Sequence, residues 1–226
     1  FGAGAVAFAQ TRYPTTGPGT DFFTEGDIAL NGEAYNFSVN GTAVTTVPAK
    51  DTYDAGSIVA HESGHWVGLD HSPMRGATIY HSFQRVGVTG LDGRRSRTLT
   101  NDDRAGIQYL YGAGAGTGAI SGTIDSDING QGMAVAAINL ATGDTITGLC
   151  GNRIGLANES YRIDRLPPGN YHLITFPLDD VNFQGMLPSN LQSPFPNVDN
   201  VFRPRFYRSA DPTGTASRAL ASTVVV

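Results

Sequence analysis

Cysteine is nearly absent: Cys150 stands alone in 226 residues, so the chain cannot close an internal disulfide, and that side chain reads as a small buried hydrophobe or an inert thiol. Lysine is equally scarce. Of 15 basic residues only Lys50 is a lysine, and the net charge of −5 with a pI near 5.4 leaves no concentrated basic face of the kind a nucleic-acid partner needs. No run of about 18 apolar residues exists, which argues against a transmembrane segment. With 29 Gly and 12 Pro the composition favours turns and short strands, and argues against an all-helical fold.

Histidine is scarce too, with five in the chain, but three of them fall in one stretch, His-Glu-Ser-Gly-His-Trp-Val-Gly-Leu-Asp-His-Ser, residues 61–72. On a helix His61 and His65 project from one face a turn apart and can bind one metal ion together. Glu62 lies beside them, near the metal but offset from it. A third ligand from the next turn would crowd the site, so the chain must reverse. Gly68 permits this with a positive φ, and His71 follows three residues later. Three neutral imidazoles leave a tetrahedral zinc one open position for water, as in catalytic sites.

Taken in order, residues 4–10 and 27–31 read as strands and 35–39 as a third, with Asn31-Gly32 and Asn40-Gly41 as turn signals of a small antiparallel sheet. Asp54 is placed to cap a helix from Ala55 to about Val67, with Ile58, Val59 and Trp66 directed to the core. The stretch 72–98 reads as extended loop. Its arginines Arg85, Arg94, Arg95 and Arg97 read as a solvated surface or as flanks of a substrate channel. Thr100 caps a second helix with Asp103 as its capping-box partner, ending near Tyr111-Gly112. GAGAGTG, Gly112 to Gly118, reads as a linker, with 113–118 dividing the two domains. Beyond it, strands are expected at 119–124, 135–140, 145–149, 161–166 and 171–176, with final strands at 205–207 and 223–226. Asp125, Asp127 and Asn129 imitate the start of a calcium loop, but the position that needs a bidentate acid is Ala136, so this reads as a turn.

Residues 61–72 resemble the metzincin zinc endopeptidases, HExxHxxGxxH, and the serine after the third histidine resembles the matrixin branch, the matrix-metalloproteinase-like group. Residues 99–112, LTNDDRAGIQYLYG, are similar to the helix that closes a matrixin catalytic domain, and Asp27-Ile28-Ala29-Leu30-Asn31 more weakly to its last sheet strand. The family's Met-turn methionine is replaced by Ile79; Met74 is out of register. An isoleucine of similar volume is expected to be tolerated there. From Ile120 to Tyr171 the strand and turn pattern is similar to the carboxypeptidase regulatory-like domain.

The resemblance implies an α+β zincin-type catalytic domain over 1–112, N-terminally incomplete, then the linker and an all-β transthyretin/Ig-like sandwich over 119–226. It implies a zinc metalloendopeptidase: metal ligands His61, His65 and His71, with Glu62 as general base toward a zinc-bound water. An extended peptide or protein substrate is expected to pair with the edge strand at Gly4, Ala5, Val6 and Ala7, continuing to Ala9, with Tyr80 and His81 nearby. His81 is read either as solvent-exposed or as assisting at the metal, and His172 as structural. One catalytic zinc is expected, since residues 1–60 hold no histidine for a second. Structural calcium stays open, with no site identified. A secreted, bacterial, monomeric protein is expected, with any targeting signal upstream of Phe1. Two competing readings remain: a zinc-retaining but inactive protein whose sandwich serves adhesion or recognition, and a zinc hydrolase acting on something other than peptides.

Overall fold

A computed structural model describes residues 4–12, 25–46, 48–88, 94–112, 116–124, 132–151, 159–178, 190–191 and 202–226. Two compact units emerge, Phe1–Asp70 with Gly76–Asp103, and His71–Arg75 with Arg104–Val226. The turn expected at Asp125, Asp127 and Asn129 lies outside the described residues.

In the first unit, side chains of Ala7–Arg12 (β1) alternate half-buried and exposed, as a strand with one covered face requires. It runs antiparallel to Glu25–Leu30 (β2), with Ala7 opposite Leu30 and Arg12 opposite Glu25. Asn31 closes the pair: its N–H donates to the Val6 carbonyl and its side-chain amide to the Ala5 carbonyl. Asn36–Ser38 (β3) instead pairs parallel with Thr52–Asp54 (β4). The antiparallel expectation therefore holds for the first two strands and fails for the third. Its partner β4 is only three residues long and too short to show a period. The Asn36 amide bonds the Val44 and Lys50 carbonyls and the Thr46 hydroxyl, folding the connection back.

Helix Ala55–Trp66 (α1) starts directly from β4, and Asp54 accepts the Ser57 N–H at 2.8 Å as its N-cap. The Asp54 side chain is 0% exposed and is gripped by Arg97, Nε at 2.8 Å and Nη2 at 2.6 Å. Arg97 also reaches the Val39 carbonyl. Arg97 is exposed, as the surface reading expected, and it also neutralises a buried carboxylate that would otherwise be costly. Burial raises the Asp54 carboxyl, but the Arg97 and Ser57 hydrogen bonds outweigh it and hold the group below its ordinary value. Arg85 pairs with Asp51 at 2.9 Å, both half-exposed. Of the expected core residues on α1 only Ile58 is buried; Val59 and Trp66 are exposed. The buried stripe also carries His61 and Glu62, leaving Val59 and Trp66 on the far side. The Trp66 indole lies against Gly26 of β2, where a Cβ would stand 1.8 Å from Nε1.

In the second unit Gly118–Thr123 (β5) pairs antiparallel with Ser160–Leu166 (β8). Ala134–Asn139 (β6) lies between Thr145–Leu149 (β7) and Asn170–Phe176 (β9). Arg205–Phe206 (β10) and Val224–Val225 (β11) both pair with β9. Ile120, Ile163 and Leu166 from one sheet and Val135, Ala137, Ile146, Tyr171 and Leu173 from the other form a single buried cluster. Ala105 of helix Asn101–Tyr111 (α2) joins it. All seven of these strands fall within about two residues of the expected positions. Tyr171 satisfies its buried hydroxyl on the Pro167 carbonyl at 2.7 Å. Cys150 is fully buried in this cluster, and burial pushes its thiol up to about 12.

Two outcomes follow. Since the folded-state carboxyl of Asp54 lies below its unfolded value, its contribution is complete above the unfolded value and is lost as pH falls through the folded one. Asp54→Ala is expected to cost about 2 kcal/mol at neutral pH, with the gap to wild type closing as the medium is acidified through the carboxylate range; urea unfolding across pH reads it. Cys150 is expected to resist alkylation at pH 8 in the native protein and to react fully in denaturant.

Candidate metal centre

His61 and His65 lie one turn apart on α1, with His61 2% exposed. The helix stops where Gly68 takes φ 92°, its N–H on the His65 carbonyl and the Leu69 N–H on the Gly64 carbonyl, each at 2.9 Å. Each imidazole then turns Nδ1 to a backbone carbonyl: His61 to Thr78 at 2.9 Å, His65 to Leu69 at 2.8 Å, and His71 to Asn190. A carbonyl can only accept, so Nδ1 carries the proton at all three and Nε2 keeps the lone pair. The Nε2 atoms of His61 and His65 are 3.1 Å apart. The ligating nitrogens of His61, His65 and His71 all lie within 4.8 Å of one another. Zinc–nitrogen bonds of about 2.0–2.1 Å in a tetrahedron put nitrogens about 3.3 Å apart; His61 and His65 stand close to that spacing, and the widest separation in the trio would have to close by about 1.5 Å around the ion.

The turn from Ala77 to Tyr80 is fixed from below. Asp103, 2% exposed, accepts the Thr78 N–H at 2.9 Å and the Ile79 N–H at 3.1 Å. It also accepts the Thr100 N–H and hydroxyl at 2.7 Å each, so the capping pair expected at 100 and 103 has a second task that sequence spacing did not reveal. Thr78 in turn offers its carbonyl to His61 and donates its hydroxyl to the Thr98 carbonyl at 2.9 Å. One carboxylate therefore orients a ligand through a single peptide. Ile79 is 3% exposed and packs onto α1 at Gly64, where a Cβ would come 2.5 Å from Ile79 Cδ1. The Met-turn position is filled by a close fit between an isoleucine and a glycine placed between two ligands.

Glu62 is 4% exposed. Burial pushes its carboxyl up to about 7, against the Ala9 N–H of β1, which donates to it and lowers it. A cation held by the neighbouring imidazoles would favour the charged form further. In β1 the even residues bond towards β2, as the Val6 carbonyl does with Asn31, so Ala9 faces the opposite edge. Among the described residues no strand pairs with that edge. Of the expected substrate strand, Ala7 to Ala9 lie in β1, and Gly4, Ala5 and Val6 precede it. The carbonyls of Gly4, Ala5 and Val6 bond the Tyr35 hydroxyl, the Asn31 amide and the Asn31 N–H. His81 is not among the converging imidazoles and lies against the Tyr80 ring, centroids 4.4 Å apart. Phe83, which the sequence did not single out, packs edge-on against His61 at 4.7 Å.

The family model described as Matrixin matches residues 6–112. That match covers a little under half of the chain. The chain is similar to "Metalloendoproteinase 2-MMP" of Arabidopsis thaliana, 38% identical over 78 residues, 34% of this chain and 19% of the relative. It is similar to "Matrilysin" of Mus musculus, 46% identical over 52 residues, 23% of this chain and 17% of the relative. "Matrix metalloproteinase-2" of Drosophila melanogaster is 32% identical over 111 residues, 49% of this chain and 12% of the relative. The chain thus spans less than a fifth of each of these three relatives. No solved structure matches. No helix among the described residues is long and apolar enough to cross a membrane.

Asp103→Ala strands two buried N–H groups, and is expected to cost about 3 kcal/mol or more in thermal or urea unfolding. Gly64→Ala gains helix propensity but overpacks Ile79, for a net loss of about 1–2 kcal/mol. Adding Ile79→Val removes the obstructing Cδ1 and should restore most of that loss; additivity in the double-mutant cycle would show the contact to be irrelevant.

Proposed function

We propose that this chain is a zinc-dependent metalloendopeptidase, carried by the convergence of three Nδ1-protonated imidazoles beside a buried glutamate. His61, His65 and His71 would hold a zinc ion, which would supply the Lewis acidity that acidifies water and polarises a carbonyl. Glu62 takes the proton of the attacking water and hands it to the departing amine, as general base and then acid. The Ala9 N–H holds the Glu62 carboxylate towards the site, so the strand that supports the base is also the strand along which substrate lies. An extended peptide adds to the open edge of β1, from Ala7 to Thr11, in β-augmentation. Desolvation of Glu62 strengthens its basicity.

The second unit is proposed to be a carboxypeptidase regulatory-like sandwich; its two sheets about one core support this. We further read the protein as secreted and monomeric, with one zinc.

On a quenched peptide panel, Glu62→Ala should lower kcat/KM by about a hundredfold to ten-thousandfold while zinc content stays at one per chain, and a chelator should abolish cleavage. Zinc retention with no cleavage by the wild type would favour the binding-protein reading. Cleavage indifferent to both chelator and Glu62 would sink the assignment.

A further inference from the structure

The Nδ1 protons of His61 and His65 are held by carbonyls near them in sequence, those of Thr78 and Leu69, whereas that of His71 is held by the carbonyl of Asn190, 119 residues downstream. Asn190 lies outside the stretch that matches the matrixin family, residues 6–112. Both partners belong to one compact unit, His71–Arg75 with Arg104–Val226. The setting is a packed one. Leu191, the next residue, is 7% exposed, and Ser72, next to His71, is 7% exposed. The Ser72 hydroxyl accepts the Met74 N–H at 2.9 Å, which fixes the chain just after the ligand.

We infer that the main-chain carbonyl of Asn190 is a positioning group for the third metal ligand, so that metal affinity of the matrixin-like stretch depends on the part of the chain that follows it. An imidazole released from such an acceptor exchanges between its two tautomers and rotates. Nε2 then carries a proton part of the time and is turned from the metal for another part. Outer partners of this kind are worth about ten- to a hundredfold in metal affinity. Leu191 acts indirectly, by burying the segment that presents the carbonyl. The Asn190 side chain takes no part in this bond, so its identity should be of little consequence.

The inference rests on the zinc reading above, and the test separates the two. In the full chain, Leu191 is replaced by its α-hydroxy acid, which turns the 190–191 peptide into an ester: the side chain stays and the carbonyl becomes a poorer acceptor. Zinc affinity is measured by competition with a chromophoric chelator. The His71 tautomer is read in the metal-free protein from long-range proton–nitrogen NMR spectra, and urea unfolding serves as the control for folding. The ester should weaken zinc tenfold or more and shift His71 from the Nδ1-protonated form to a mixture, with His61 and His65 unchanged. Asn190→Ala should leave both readouts within twofold of wild type. An unchanged His71 tautomer in the ester overturns the inference, whether or not zinc affinity falls, and so does zinc affinity within twofold of wild type. A wild type that binds no zinc overturns the functional reading alone, since the tautomer still tests the contact.

Discussion

An imidazole has two nitrogens and, when neutral, one proton; it can give a lone pair to a metal only if that proton is held elsewhere. Here the three protons are held by main-chain carbonyls, those of Thr78, Leu69 and Asn190. Each of those carbonyls needs a reason to be where it is. Leu69 follows from the left-handed turn at Gly68. Thr78 follows from the carboxylate of Asp103, which grips the peptide N–H groups on either side of that carbonyl. The centre is thus a set of backbone placements with imidazoles attached.

The first unit spends its few charges in a consistent way. Asp54 and Asp103 are both nearly inaccessible, both stand at the start of a helix, and both reach beyond that helix to fix a loop. A carboxylate so placed has more acceptor capacity than a helix end requires, and the surplus goes to Arg97 in one case and to the N–H groups of Thr78 and Ile79 in the other. Burying these groups is tolerable because their lone pairs are filled.

The convergence of His61, His65 and His71 was legible because it is local: one helix turn and one glycine set it. The strands of the second half were legible because turn residues such as Pro167, Pro168, Gly169 and Asn170 bound them. Other features were closed to the sequence for physical reasons. A carbonyl belongs to every residue, so nothing marks Thr78 or Asn190 as acceptors. Arg97 looks like its neighbours until the buried Asp54 is placed beside it, and Asp103 looked like a cap alone. On α1 the apolar residues Val59 and Trp66 suggested a core face, but the helix buries the face that carries His61 and Glu62. The parallel partner of β3 was hidden because three residues do not make a pattern.

Trp66 is the single tryptophan of the chain and directly follows a ligand. Its indole rests on the bare backbone of Gly26, so the helix that carries the histidines and the strand beside it meet at a chromophore. The protein therefore contains its own optical gauge of that junction. Its emission can follow the junction in real time and without a label, as helix and strand part or close.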